Sequence, residues 1–267
     1  MQIHHKTPFC RGYTSLSPRS GVTADMLMDF GVLRVNEGER YVSHQKNDEQ
    51  CWLLACGNAE LSWTSGGFHT VSRPNLFDYS PWCLSVPRGT QVNITGGAGG
   101  CEWYYTATDN VKPFASKLYT PDECRSEFRG EGTMRETSTR IVRTIFDDTN
   151  RPESNLVIGE VIGVPGKWSS YPPHHHPQPE IYHYRFLPSQ GFGLTAIGNT
   201  PYIIRDKDTI LIRDGEDHPQ VTAPGYAMWY LWVIRHLEGN HYGPQYVTEE
   251  HQWVTGPQEA IWQPKKS

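Results

Sequence analysis

Short apolar runs closed off by turn residues recur along this chain and limit what it can fold into. CWLLACG (51–57), VIGEVIGV (157–164), TILIRDG (209–215) and MWYLWVI (228–234) are each bounded by Gly, Pro, Asn or Asp. They are too short and too densely punctuated for buried helices, and they have the length of strands. The 25 glycines and 20 prolines supply the turns such a chain needs. The expectation is an all-β protein of sandwich or barrel type, with the strands wound as a jelly roll. Helix should be scarce. The clearest place for one is TPDECRSEFRG, where Thr120 precedes Pro121 at the first helical position and Glu123 can complete a capping box. Gly130 and Gly132 then mark an exit, so a connection between two domains is expected between about residues 112 and 136, dividing the chain into 1–125 and 126–267.

At 267 residues with 37% hydrophobic content the chain can bury a large core or two medium ones. The 24 basic and 29 acidic residues form no long run of one sign, which argues against nucleic acid or a membrane surface as partner. No apolar stretch approaches the roughly 18 residues that span a bilayer. MQIHHKTPFC lacks the charged-then-apolar order of an export signal, so a cytoplasmic protein is expected. Cys10, Cys51, Cys56, Cys83, Cys101 and Cys124 show no CxxC spacing and are read as reduced thiols, with Cys51 and Cys83 acting as small core hydrophobes.

The chemistry concentrates in WSSYPPHHHPQPEIYHYRF (168–186). On extended backbone, side chains alternate, so His174 and His176 point one way and His175 the other. Pro177 and Pro179 force a turn, after which Glu180 opens the next strand aimed at the same spot. Farther on, in RDGEDHPQV, Gly215 permits a tight turn and His218 opens another strand. Three imidazoles and one carboxylate make a nitrogen and oxygen site for one divalent transition metal ion: zinc or manganese, with iron and nickel also tolerated. The competing reading is a prolyl loop of exposed histidines. By the same parity Tyr182 and Tyr184 face the cavity, while Ile181, His183 and Arg185 face away toward another sheet or a subunit contact. Tyr230 is the expected cavity residue of GYAMWYLWVI. His4, His5, His44, His69, His236, His241 and His251 are scattered and read as surface histidines, with the alternative that HLEGNHYGP forms a loop near the cavity mouth.

HxHxxxE followed downstream by GxxH resembles the two-part signature of the cupin superfamily, which implies a jelly-roll sandwich around the ion. A weaker copy of the layout precedes it. Aligning Glu49 with Glu180 sets Ser43 opposite His174 and Gln45 opposite His176; aligning Gly89 with Gly215 sets Val92 opposite His218. The chain thus reads as two tandem cupin domains, the first with a degenerate metal site and a role in packing and assembly, or with a metal-free small-molecule pocket. Edge strands of two sandwiches leave room for a homo-oligomer.

SSYPPHHHPQPEIYHYRFLPSQGFG together with DGEDHPQVTAPGYAMWYLWV is similar to the 5-deoxy-glucuronate isomerase family, two-cupin enzymes of inositol catabolism related to 4-deoxy-L-threo-5-hexosulose-uronate ketol-isomerase. The likeness extends over both halves. It implies an aldose–ketose isomerase that takes a small sugar acid, 5-deoxy-D-glucuronate, to 5-dehydro-2-deoxy-D-gluconate. In such a reaction the ion polarises the aldehyde, and a base moves a proton between neighbouring carbons. Tyr182, Tyr184, Glu180 or solvent at the ion are the alternatives for that base. The substrate carboxylate calls for a cation, with Lys167, Arg205 and Arg213 available. Two rivals remain at this point: a non-catalytic sugar-acid sensor, and a cupin dioxygenase using the same ligands on iron.

Overall fold

The computed structural model describes residues 1–43, 47–64, 66–213, 215–243 and 245–264, whose regular structure is mainly antiparallel strand with a few short 3-10 turns. Gln45 and His44 lie outside the described residues. One sheet runs Gly12–Ser17, Asp29–Val35, Val92–Asp109, Asp48–Trp63, Cys83–Val86 and Lys117–Tyr119, with Arg40–Val42 and Phe68–Arg73 attached alongside. Its two longest strands have 16 and 18 residues and bend where the register slips between Leu54 and Cys56 and again between Gly57 and Ala59. Gly57 has φ +96°, and a Cβ there would meet the Gly100 carbonyl oxygen at 2.2 Å, so the bend requires glycine.

The second large sheet runs Gln2–Ile3, Thr209–Ile212, Glu180–Leu187, Ala227–Arg235, Leu156–Gly163, Arg140–Phe146 and Arg125–Arg129. It is backed by a four-stranded sheet of Trp168–Ser169, Gln220–Thr222, Phe192–Ile197 and Thr200–Arg205, and by the short pair His174–His175 with Tyr246–Val247. Gln2 and Ile3 therefore complete a sheet whose other strands lie beyond residue 124. No helix among the described residues is long and apolar enough to cross a membrane.

The helix expected at Thr120 is only a 3-10 turn, Pro121–Glu123. Its capping contact forms, with the Thr120 amide donating to Glu123 Oε2 at 3.0 Å, but Arg125–Arg129 then pairs residue by residue with Arg140–Arg143 and Thr144. A ladder partner was available and outcompeted continuation of the helix. Gly130 and Gly132 belong to the loop of that hairpin, not to an open linker.

Strand parity divides the apolar residues among three cores. Trp52, Leu54, Trp103 and Tyr105 point into the first sandwich, and Tyr182, Tyr184, Met228 and Tyr230 into the second. The alternate positions, Cys51, Leu53 and Tyr104 from one sheet and Ile181, Trp229, Leu231 and Val233 from the other, pack against each other at the seam between the two large sheets. Both large sheets are thus covered on both faces, which is why runs such as MWYLWVI are apolar without alternation. Cys51 and Cys83 are buried seam residues, with Sγ atoms 3.2 Å apart and both thiols free.

A buried ion cluster crosses the seam. Arg73 places Nη2 2.6 and 2.9 Å from the Glu160 carboxylate oxygens, and Arg143 Nη1 lies 2.8 Å from Oε1. Arg73 and Glu160 are fully enclosed. Both guanidinium groups also donate to main-chain carbonyls: Arg73 to Leu54, Leu76 and Tyr79, Arg143 to Leu76, Phe77 and Tyr79. Removing one partner leaves buried charge uncompensated, which costs about 3–5 kcal/mol. Glu160→Ala should lower the urea-unfolding free energy by roughly that amount; a loss under about 1 kcal/mol, the worth of an exposed pair, would show the cluster to be dispensable.

Glu49 corrects the internal alignment by one position. It sits on the seam face, not in the first sandwich, where it accepts from Asn110 Nδ2 at 2.6 Å, Ser154 Oγ at 3.0 Å and the Asn155 amide at 3.0 Å. Its neighbour Gln50 shares the inward parity of Trp52 and donates to the Thr90 carbonyl at 2.9 Å. Burial pushes the Glu49 carboxyl up to about 7 from 4.5, against the pull of those hydrogen bonds. A folded-state value above the unfolded one means the contribution to stability is complete below about 4.5 and lost as pH rises through about 7. Denaturation midpoints of Glu49→Gln relative to wild type should therefore climb across that interval; a pH-independent difference would contradict the assignment.

Candidate metal centre

His174 and His176 are buried and His175 half-buried, the alternation that extended backbone imposes. His174 and His175 pair with Val247 and Tyr246 in a short ladder. Glu180 begins its strand between Ile212 on one side and Ile234 on the other. Its Oε2 lies 3.2 Å from His176 Nε2 and 3.3 Å from His218 Nε2. The ligand atoms of His176, Glu180 and His218 all fall within 4.8 Å of one another. His174 stands beside this triple, its ring 4.7 Å from that of His218. Three of the four predicted ligands are thus grouped at this distance, with the fourth, His174, next to them.

The hydrogen bonds on the far side of each ring decide which nitrogen faces inward. Nδ1 of His174 meets the Pro172 carbonyl at 2.9 Å, Nδ1 of His176 the Gln178 carbonyl at 3.1 Å, and Nδ1 of His218 the Glu216 carbonyl at 2.8 Å. A carbonyl only accepts, so each Nδ1 carries the proton and each Nε2 presents a lone pair. Burial and the neighbouring His218 lower His174 to about 4, and burial lowers His218 as well, which keeps these two rings neutral as ligands must be. Lone pairs and a carboxylate oxygen about 3 Å apart repel unless a cation sits among them, and ligands near 2.1 Å from one ion have about this separation. The residues present fit a divalent metal.

A cavity of about 160 Å³ opens beside Glu180 and His174, lined by Tyr182, Tyr230, Trp232, Ser170 and Arg140 among others. This is small for a ligand pocket and suits a metabolite. Tyr182 Oη is 3.3 Å from Ser170 Oγ, and Tyr230 Oη 2.6 Å from Ser169 Oγ. Burial drives both phenols far above their ordinary range, with the Glu180 charge adding to the effect. They are proton donors at neutral pH.

Other expectations need correction. Tyr184 has the parity of Glu180 and Tyr182 but lies one step deeper, fully enclosed in the core 5.7 Å from the Tyr230 ring and off the cavity wall. None of the three predicted cations lines the cavity. Lys167 donates to the Glu136 carbonyl at the surface, Arg205 is exposed at the end of an outer strand, and Arg213 pairs with Asp25 at 2.5 Å. Arg140 and Arg129 line it instead, with Tyr242 and Gln245 from the C-terminal segment. Alternation in RIVRTIF puts Arg140 and Arg143 on opposite faces without saying which is which; in the structure Arg140, Val142 and Thr144 face the cavity, while Ile141, Arg143 and Ile145 face the seam. His183 and Arg185 also face the seam, His183 against the rings of Phe30 and Tyr104 and Arg185 on Glu102 at 2.7 Å.

A second group, Asp148, His236 and His241, also has ligand atoms within 4.8 Å, and His236 is buried where a surface residue was expected. It does not suit a metal. His236 Nδ1 accepts the Tyr242 amide at 2.8 Å, so the proton of the neutral ring is on Nε2. The two rings are stacked, 4.3 Å apart at 9°, and in-plane lone pairs of stacked rings do not converge on one ion. In the first sandwich, Ser43 and Val92 do meet, with the Val92 amide donating to Ser43 Oγ at 2.9 Å. Among the described residues, neither group that could hold an ion lies in that half.

The family model described as KduI/IolB family matches residues 6–254. Among curated relatives, the 5-deoxy-glucuronate isomerase of Geobacillus kaustophilus is 25% identical over 77% of this chain and 78% of its own length. That of Halalkalibacterium halodurans is 24% identical over 87% and 91%. Among solved structures, an IolB-like protein from Salmonella typhimurium superposes with a TM-score of 0.80 at 22% identity, covering 93% of this chain and 97% of that one. Lactobacillus farciminis oxalate decarboxylase gives 0.65 at 12%, covering 94% and 88%, a likeness of fold alone. The all-β architecture is thus cupin-like. With the family model spanning nearly the whole chain and isomerases among the relatives that share most of its length, the chain is an enzyme of isomerase type that belongs to the KduI/IolB family.

Proposed function

We propose that the protein is a metal-dependent aldose–ketose isomerase that converts 5-deoxy-D-glucuronate to 5-dehydro-2-deoxy-D-gluconate. The observation that carries the metal dependence is the pair of Nε2 lone pairs of His176 and His218 against the Glu180 carboxylate, each ring fixed by a carbonyl behind it, with the similarly fixed His174 ring beside them. The substrate is that named for the curated relatives, and the small polar cavity beside the centre accommodates a sugar acid of that size.

A divalent ion held by His174, His176, Glu180 and His218 supplies Lewis-acid polarisation of the aldehyde oxygen. The protein residues manage the protons. Glu180 is the carboxylate closest to the reacting carbons on this reading. It takes the proton from the hydroxyl-bearing carbon, leaving an enediolate, and returns it to the former aldehyde carbon, while the proton of the hydroxyl group is relayed through Tyr182 or Tyr230 to the former aldehyde oxygen, so that two protons move and the ketone forms without net change. Tyr182 and Tyr230, held protonated by burial, donate hydrogen bonds to the two oxygens whose charge changes during the shift. Tyr184 takes no part, because it does not reach the cavity. The Trp232 ring and Val161 on the same wall limit access of water to the enediolate.

Incubation with 5-deoxy-D-glucuronate should yield the ketose under nitrogen as in air, should stop when the metal is stripped with chelator, and should resume with added divalent ion. Full turnover in the stripped protein, or a strict need for oxygen, would sink the reading; a sensor would turn nothing over. His218→Ala should leave the circular dichroism of the sandwich unchanged while bound metal, measured by elemental analysis, falls about tenfold or more, since one of four ligands and its fixed tautomer are lost. Undiminished metal content in that variant would show the ion to be held elsewhere.

A further inference from the structure

We infer that Arg140 is the anchor for the carboxylate of the sugar acid, fixing the end of the substrate remote from the metal centre. The inference rests on the reaction proposed above for its choice of ligand class, and on the following geometry for its choice of residue.

Arg140 opens the strand Arg140–Phe146 and reaches the cavity wall shared by His174, Glu180, Tyr182 and Tyr230. Two main-chain carbonyls aim its fork: Nη1 donates to Ser138 at 2.7 Å and Nη2 to Tyr171 at 3.3 Å. A guanidinium has five N–H donors, so hydrogens remain for a ligand. Among the described residues it forms no ion pair with a carboxylate, and the charged or ionisable groups acting on it are the phenols of Tyr230 and Tyr182 and a second cation, Arg129. The acids on the cavity wall are engaged elsewhere: Glu180 lies between His176 and His218, and Asp147 is held by Arg125 and Thr149. Arg129, the other arginine of the wall, already has Glu127 at 2.7 Å. Arg140 is thus a half-buried cation with no carboxylate partner among the described residues, and partial burial lowers its pKa. Such a charge is costly unless a ligand neutralises it, and a planar fork matches a carboxylate with two parallel hydrogen bonds.

Position along the sheet gives the grip two ends. The Arg140 strand is separated from the Glu180 strand by Leu156–Gly163 and Ala227–Arg235. Three ladder steps of about 4.8 Å each separate the two strands, and Arg140 lies in the row of Gly163, Met228 and Phe186, six residues along from Glu180. Both residues line one cavity, so an acid held at its carboxylate by Arg140 would extend along it toward Glu180.

Binding of D-glucuronate and D-glucose, followed by the fluorescence of Trp232, tests the anchor without turnover. Wild type should prefer the acid at least tenfold. Arg140→Gln should abolish the preference with metal content unchanged, Arg140→Lys should restore part of it, and Arg205→Gln, outside the cavity, should keep all of it. For 5-deoxy-D-glucuronate the Gln variant should raise KM tenfold or more, with a smaller change in kcat. A wild type indifferent to the carboxylate, or a Gln variant that retains the preference, overturns the anchor. Preference that depends on Arg140 without any isomerisation would keep the anchor and overturn the reaction; isomerisation with KM unmoved in the Gln variant would do the reverse.

Discussion

Two guanidinium groups from opposite sides of a seam close on one carboxylate that has no exposed surface. Glu160 is tolerable there only because Arg73 and Arg143 neutralise it, and the arginines only because carbonyls of residues 54, 76, 77 and 79 occupy their other hydrogens. The cluster fixes the strands that carry it. Leu156–Gly163 shows Glu160 to the seam and Val157 and Val161 to the cavity; Arg140–Phe146 shows Arg143 to the seam and Arg140 and Val142 to the cavity. A strand held on one face cannot slip without turning its other face away, so the seam sets the wall of the site.

The remaining seam contacts extend the same logic to the Glu180 strand. Ile181 and His183 pack against aromatic rings of the first half, and Arg185 binds Glu102 and the Tyr104 hydroxyl. Asp208, at the start of the neighbouring strand, receives Gln2 and His4 from the chain terminus, and Arg213 is drawn to Asp25. These ties explain why Arg213 is absent from the cavity: its charge is spent between the halves. At the mouth, Asp217 accepts from Thr248 Oγ1 at 2.6 Å and meets His175 Nδ1 at 3.0 Å, so the outward member of the histidine trio fastens the C-terminal segment that brings in Tyr242 and Gln245.

What could be read in the sequence was whatever depends on period. The two-residue repeat of a strand placed His174 and His176 on one side, set Tyr182 with Glu180, and sent His183 and Arg185 the other way; the structure brings them out as that arithmetic requires. Arithmetic without depth failed at Tyr184, which has the right parity and the wrong height. An alignment offset by a single residue put Glu49 on the wrong face, the characteristic error when each step reverses direction. The helix at Thr120 had its cap and its proline but lacked knowledge of a partner strand at Arg140. Arg140 itself was missed because nothing local distinguishes it from Arg143; only the packing of sheet on sheet tells which of them meets a carboxylate.

The two histidine groups of the second half show how little residue type decides. His218 and His236 are both buried, both neutral, and both close to a carboxylate and another imidazole. Behind His218 stands a carbonyl, which demands a proton on Nδ1 and leaves Nε2 a base; behind His236 stands an amide, which demands the opposite. One main-chain group, turned by the local fold, leaves the first ring a lone pair on Nε2 and the second a proton there. The turn residues around Gly215 and Pro219 therefore do more than deliver His218 to its place. By presenting the Glu216 carbonyl they select its tautomer, and a rearranged turn that left the imidazole in position would no longer fix a lone pair on Nε2.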